Sequence, residues 1–137
     1  MIVQNNIMLV DDDEIFTFII KKIIEESKLS SQIDIFSNGQ EAINFLEEFA
    51  KVEEKLPEVI FLDLSMPILD GWGFLEEYIE LKPKLAKKIT LYIISTSVSP
   101  LDFEKAKKYS DVTDFIVKPM AKERFVEIIK ELSREKN

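Results

Sequence analysis

The sequence predicts a single α/β domain built on a parallel sheet, and three observations support this prediction. Short apolar runs alternate with longer stretches of helical periodicity along the chain, which is the pattern of successive βα units. The chain has 137 residues, the usual size of one domain, and 46% of them are hydrophobic, enough to fill one core. Cysteine is absent, so the fold depends on neither a disulfide nor a thiolate metal site.

Five βα units follow one another. The strands are predicted at Ile7 to Val10, Ile33 to Phe36, Val59 to Leu62, Leu91 to Ile94 and Asp114 to Val117. Apolar residues at helical spacing mark four of the helices: a stripe of Ile15, Phe16, Ile19, Ile20, Ile23 and Ile24 that should face the core; the amphipathic set Ala42, Ile43, Leu46 and Phe49; the set Trp72, Leu75, Tyr78 and Ile79; and the buried face Phe125, Val126, Ile128, Ile129 and Leu132. Pro100 begins a more polar fourth helix. Because right-handed crossovers leave few topologies, we expect a flavodoxin-like, doubly wound sheet in the order 2-1-3-4-5.

Charge and composition exclude several classes of function. The formal net charge of −8 disfavours binding to nucleic acid or to an anionic membrane, since both require clustered Lys and Arg. Histidine is absent, which removes imidazole bases and imidazole metal ligands. The first residues have neither the basic segment of a secretion signal nor the apolar length of a membrane span. We therefore expect a cytoplasmic protein whose chemistry uses carboxylates, hydroxyls and lysines.

Polar side chains follow four of the predicted strands at their carboxyl ends. They are Asp11, Asp12 and Asp13 after the first strand, Asp63 after the third, Ser95 and Thr96 after the fourth, and Lys118 after the fifth. Carboxylates that meet at one edge of a sheet repel one another unless a cation lies between them. Mg²⁺ is commonly bound by one or two carboxylates together with a phosphate, and Mn²⁺ could substitute for it. The pattern predicts a site where Asp63 attacks a phosphoryl donor, while Lys118 and a hydroxyl hold the phosphoryl oxygens.

Four stretches carry a resemblance to a known family. They are LVDDDE at 9–14, FLDLSMPILDGW at 61–72, IISTS at 93–97 and FIVKPM at 115–120. Together they resemble the receiver domains of bacterial two-component response regulators, and in particular the chemotaxis response regulator. The resemblance covers nearly the whole chain. It implies one receiver domain over residues 1–137 with no effector domain, acting as a signalling switch rather than an enzyme.

The resemblance also implies roles for the acidic residues. Asp63 would be the phosphoacceptor and, with Asp11 and Asp12, would bind the metal. The backbone carbonyl of Ser65 would complete the protein ligands. Asp13 and Asp70 are interpreted as structural instead, the first at a helix N-terminus and the second in a turn before a helix.

The remaining site residues lie after strands four and five. Lys118 would pair with the phosphate, Phe115 would be the switch aromatic, and the bond before Pro119 is a candidate for the cis isomer. The phosphate-binding hydroxyl is Ser95 or Thr96. Ser95 is preferred because it directly follows the apolar strand, but a slip of one residue would exchange the two.

The resemblance implies that the phosphoryl donor is a sensor histidine kinase or a phosphotransfer protein. The output would be an unknown downstream protein, recognised by the face formed by helix four, strand five and helix five, on a monomer or a phosphorylation-dependent dimer. Two alternatives stay open. An aspartate-nucleophile phosphatase would carry a second Asp where this chain has Ser65, and a phosphorylation-independent interaction module would be expected to lose the acceptor, the metal pair or the lysine.

Overall fold

The computed structural model describes residues 5–27 and 31–135, so both ends of the predicted domain lie outside the described residues. The strands are β1 (Asn5–Val10), β2 (Ser31–Phe36), β3 (Val59–Leu62), β4 (Thr90–Ser95) and β5 (Val112–Val117). The helices are α1 (Glu14–Ser27), α2 (Gly39–Glu48), α3 (Gly71–Leu81), α4 (Pro100–Lys107) and α5 (Lys122–Glu135). Two short 3-10 segments, Glu53–Lys55 and Lys82–Lys84, were not predicted because three residues carry no periodicity.

The five strands form one parallel sheet in the order β2-β1-β3-β4-β5, which confirms the predicted topology. Side chains alternate between its faces, so Met8 and Val10 of β1 pack with α2 and α3, while Ile7 and Leu9 pack with α1 and α5. The sheet is therefore covered by helices on both sides. Among residues 5–27 and 31–135, no helix has the length and apolar character needed to cross a membrane.

Helix α1 differs from the prediction. Its buried apolar residues are Phe16, Ile20, Ile23 and Ile24. Ile15 and Ile19 were predicted to be buried, but their side chains are 73% and 48% exposed, and Phe18 beside them is 61% exposed. These three share the opposite face of the helix, at positions i, i+3 and i+4. The prediction was wrong at Ile15 and Ile19 because α1 has two apolar faces and the sheet covers only one.

Helix α4 is short, and Ala106 is its one buried residue. Side chains connect it and the loop after it to α3. The rings of Trp72 and Tyr109 stack with centroids 5.9 Å apart, and the Lys105 ammonium lies 4.6 Å from the Trp72 ring. The Tyr109 hydroxyl donates a hydrogen bond to the carboxylate of Glu76. These contacts supplement the small apolar contribution of α4 to the core.

Candidate functional site

Three carboxylates meet where β1 and β3 end. Val10 and Leu62 are partners in the parallel ladder, so Asp11 and Asp63 leave neighbouring strands at the same level. The ladder continues one residue further, because the backbone N–H of Asp63 donates to the Val10 carbonyl at 2.9 Å. Asp11 and Asp63 are buried and Asp12 is exposed. Carboxylate oxygens of Asp11, Asp12 and Asp63 all lie within 4.8 Å of one another.

Lys118 brings the positive charge to this cluster. Its backbone N–H donates to the Ser95 carbonyl at 2.8 Å, which joins the loop after β5 to the end of β4. Its ammonium lies 2.8 Å from Asp11 Oδ2 and 3.7 Å from Asp13 Oδ2. The Lys118 and Asp11 side chains are 9% and 1% exposed, so the pair is screened little by water. The bond from Lys118 to Pro119 is cis, the isomer that the resemblance predicts.

One lysine does not balance these carboxylates, and burial together with the neighbouring negative charges raises pKa values in the cluster. Burial raises the pKa of Asp63 to about 6, the charge of Asp11 adds to the increase, and Lys118 opposes it. Burial also raises the pKa of Asp11, although the hydrogen bond from Lys118 acts in the other direction. Burial by itself would lower the pKa of Lys118, but its contacts with Asp11, Asp63 and Asp13 raise it instead. The site therefore favours a further cation.

The donor set fits a hard divalent metal ion. The three carboxylates offer only oxygen, the ligand that Mg²⁺ and Mn²⁺ prefer. At Mg²⁺–oxygen distances of about 2.1 Å, two ligand oxygens can lie about 4.2 Å apart at most. The carboxylate oxygens already lie within 4.8 Å of one another, so a shift of about 0.6 Å or less would bring them to the separations that one ion requires. Ser65 lies two residues after Asp63, on an exposed part of the loop, and its backbone N–H hydrogen-bonds to the Asp63 carboxylate.

The structure separates the two candidate hydroxyls. Ser95 is buried at the end of β4, with its Oγ accepting a hydrogen bond from the Ser97 N–H at 3.2 Å, whereas Thr96 is exposed. Ser95 is therefore the hydroxyl that faces the interior, and its role in binding phosphate stays a prediction. Phe115 lies on the neighbouring strand β5 and is half-buried. Its ring packs against Phe103 of α4, with centroids 4.4 Å apart.

The loop that follows Asp63 is tightly packed. A Cβ added at Gly71 would lie 2.6 Å from the Asp63 carbonyl oxygen, so only glycine fits there. The Gly71 N–H donates to the Leu64 carbonyl at 3.0 Å. Between them Ile68 has a φ of 69°, and the N–H after it bonds back to the Pro67 carbonyl at 2.7 Å. A β-branched residue rarely adopts this left-handed turn, and the surrounding contacts hold it there.

Asp13 and Asp70, the two acidic residues that were interpreted as structural, each cap a helix. Asp70 Oδ1 accepts from the Gly73 N–H at 2.8 Å, and Asp13 Oδ1 accepts from the N–H groups of Ile15 and Phe16 at 3.1 Å. These placements confirm the interpretation, although Asp13 also faces Lys118. The sequence did not predict that the Phe16 ring lies 4.6 Å from the Lys118 ammonium. An apolar residue at helical spacing indicates only a core position.

Comparisons with known proteins identify the family. Residues 7–130 match the family model described as the response regulator receiver domain. FilR2 of Methanothrix harundinacea, described as a probable methanogenesis regulatory protein, is 30% identical over 129 residues, covering 91% of this chain and 81% of FilR2. The chemotaxis protein CheY of Listeria monocytogenes is 29% identical over 128 residues, covering 93% of this chain and 98% of CheY.

A solved structure supports the fold. The two-component response regulator from Cytophaga hutchinsonii has a TM-score of 0.81 at 24% identity, with 98% of this chain and 99% of that chain covered. At this identity the likeness shows the fold alone, and it agrees with the strand order observed here. The match to the family model extends from β1 into α5 and includes every residue of the acidic cluster. The chain therefore belongs to the response regulator receiver domain family.

Proposed function

We propose that this chain is a receiver in which Asp63 accepts a phosphoryl group and thereby switches a surface for a partner protein. The observation that carries the proposal is the buried carboxylate of Asp63, with a pKa raised to about 6, beside Asp11 and the Lys118 ammonium. Receiver domains interact with histidine kinases or phosphotransfer proteins, so a phosphohistidine on such a protein is the proposed donor. We place the protein in the cytoplasm, as its charge favours protein partners over nucleic acid or membrane.

The reaction moves the phosphoryl group from nitrogen to oxygen. An ionised oxygen of Asp63 attacks phosphorus, the phosphorus–nitrogen bond of the donor breaks, and the imidazole that leaves takes a proton from solvent. The product is an acyl phosphate on Asp63. With a pKa of about 6, the carboxylate is mostly ionised at neutral pH and is available as the nucleophile.

Receiver domains bind Mg²⁺ in an acidic pocket, and here the proposed ligands are Asp11, Asp12, Asp63 and the backbone carbonyl of Ser65. Bound there, Mg²⁺ or Mn²⁺ would supply positive charge to neutralise the phosphoryl oxygens. Asp12 lies at the exposed end of the cluster, so solvent can reach the site. The acids are crowded enough to need that charge, since a single lysine faces them among the described residues.

Lys118 and Ser95 are the proposed partners of the other phosphoryl oxygens. The Lys118 ammonium already lies in the cluster and would exchange part of its contact with Asp11 for a phosphoryl oxygen. Ser95 is the proposed hydroxyl donor because its Oγ accepts one hydrogen bond and keeps its own proton to donate. Thr96 is exposed and would have to exchange places with it.

The proposed switch couples Ser95 to the surface of α4. When Ser95 moves toward the phosphate, the hydrogen bond that its Oγ accepts from the Ser97 N–H is strained. The Ser97 hydroxyl in turn donates a hydrogen bond to the carboxylate of Asp102 in α4. Phe115 can turn inward only by leaving the ring of Phe103. We therefore expect the face formed by α4, β5 and α5 to change and to be read by a partner or by a second copy of the chain.

The test is phosphorylation by acetyl phosphate with Mg²⁺, followed by intact mass. We expect a gain of one phosphoryl group and its complete loss in Asp63→Asn. Asp34→Asn is the matched control, because Asp34 of β2 is also part-buried with a raised pKa but lies outside the acidic cluster. Equal labelling of Asp63→Asn and wild type would refute Asp63 as the acceptor.

A further inference from the structure

The Lys118 ammonium has an aromatic neighbour as well as carboxylates. It lies 4.6 Å from the centroid of the Phe16 ring, 2.8 Å from Asp11 Oδ2 and 3.7 Å from Asp13 Oδ2. Phe16 is 8% exposed and the Lys118 side chain is 9% exposed. An ammonium over a ring is attracted by the negative face of the π system, and the attraction is greater where water is excluded.

The fold fixes the ring and the lysine from different elements. Phe16 lies in the first turn of α1, where its backbone N–H donates to Asp13 Oδ1 at 3.1 Å. The backbone of Lys118 is held by the Ser95 carbonyl at the end of β4. Asp13 therefore positions Phe16 with one carboxylate oxygen, while its other oxygen faces the ammonium. The contact between the Phe16 ring and the Lys118 ammonium is therefore held by hydrogen bonds on both sides, one at the start of α1 and one at the end of β4.

A ring and a carboxylate hold the ammonium in different ways. A carboxylate competes with an incoming phosphoryl oxygen, because both are anions that seek the same N–H donors. The ring carries no net charge, so it attracts the cation without opposing its move toward the phosphoryl group. The ammonium can transfer from Asp11 to a phosphoryl oxygen while it stays over Phe16.

We propose that Phe16 is a positioning residue for phosphoryl transfer, whose ring holds the Lys118 ammonium beside Asp63 before and after the phosphoryl group arrives. This inference rests on the proposed function. Phe16 also belongs to the core layer formed with α5, so a test must separate the charge distribution of its ring from its bulk.

The experiment replaces Phe16 in the full chain with mono-, di- and trifluorinated phenylalanine, incorporated at that position alone. Fluorination weakens the negative face of the ring step by step and changes its volume little. We expect the rate of labelling by acetyl phosphate with Mg²⁺ to fall with each fluorine, to about one-fifth of the wild-type rate with three. Phe16→Leu, which has no ring, should be at least as slow.

The matched control is the same fluorinated series at Phe125, a fully buried ring of α5 in the same core layer. There we expect no graded change in rate, because the Phe125 ring packs against Phe61, with centroids 5.4 Å apart, and lies over no cation of the described part of the chain. Constant rates along the series at Phe16, or equal decreases at the two positions, would overturn the role of its ring. Absence of labelling in the wild type would instead overturn the proposed function.

Discussion

Two lysine–carboxylate pairs lie at opposite edges of the sheet, one where the strands begin and one where they end, and they have different roles. At the amino edge, Lys87 lies 2.6 Å from Glu58, and the side chains are 14% and 10% exposed. Glu58 also accepts from the backbone N–H of Asn6, and Lys87 donates to the Leu56 carbonyl at 2.9 Å. The Lys87 ammonium pairs directly with the Glu58 carboxylate there, and both groups have further hydrogen-bond partners.

At the carboxyl edge the charges do not balance. Lys118 and Asp11 form a pair of similar length and burial, but Asp63, Asp12 and Asp13 add carboxylates around it. The difference teaches how to distinguish a structural ion pair from a site. A structural pair neutralises itself, whereas a site retains an excess of one charge that a ligand of the opposite charge can neutralise.

The largest effect should come from removing each lysine. Lys87→Met removes the ammonium that lies 2.6 Å from the Glu58 carboxylate, and we expect the free energy of unfolding to fall by about 3 kcal/mol with labelling of the folded protein unchanged. Lys118→Met should greatly slow labelling but cost less stability when Mg²⁺ is present to neutralise Asp11 and Asp63. Urea denaturation in the presence of Mg²⁺ measures the loss of stability in each of the two variants. Equal losses of stability in the two variants would contradict the distinction between a structural ion pair and a site.

A second prediction concerns pH without divalent metal. Because the pKa of Asp63 is raised from 3.8 to about 6 in the folded protein, the folded state binds the proton more tightly than the unfolded state. This contribution to stability is complete below about pH 4 and is lost as the pH rises through about 6, a loss of about 3 kcal/mol in all.

The measurement is the difference in free energy of unfolding between wild type and Asp63→Asn at pH 4, 5, 6 and 7. Asn cannot titrate, so the difference isolates the single carboxyl group. We expect Asp63→Asn to become the more stable protein relative to wild type as the pH rises. A difference that is flat across this range would contradict the raised pKa of Asp63.

The smallest predicted effect is stabilisation by the ion itself. Mg²⁺ at ten times its dissociation constant should raise the free energy of unfolding by about 1.4 kcal/mol, because it binds the folded acids only. Asp12→Asn should weaken this response and Lys87→Met should retain it, since Lys87 lies at the other edge. Thermal denaturation over a Mg²⁺ titration measures it. An equal response in all three proteins would show that the ion binds elsewhere.

The sequence predicted the fold and the convergence of Asp11, Asp63 and Lys118, because parallel strands bring their carboxyl ends to one edge and each residue directly follows a strand. Contacts that depend on how elements pack were not predictable. The exposure of Ile15 follows from which face of α1 meets the sheet. The ring of Phe16 under Lys118 requires the relative position of α1 and the loop after β5.

The left-handed turn at Ile68 illustrates another limit. Turns of this kind usually carry Gly or Asn, and a β-branched residue gives no local signal for one. The turn follows from its neighbours, since Gly71 packs under the Asp63 carbonyl and the Leu69 carbonyl accepts from the Gly39 N–H at 3.0 Å. Ser95 and Thr96 were similarly ambiguous, because the register of β4 decides which side chain faces the interior.

The stack between α3 and α4 has an optical consequence. Trp72 is the one tryptophan among the 137 residues, and its indole contacts both the Tyr109 ring and the ammonium of Lys105. Indole emission responds to charge and to contact with water, and here it comes from a single position on α3. Changes in intrinsic emission therefore report directly on the junction with α4, in the unlabelled protein and in real time.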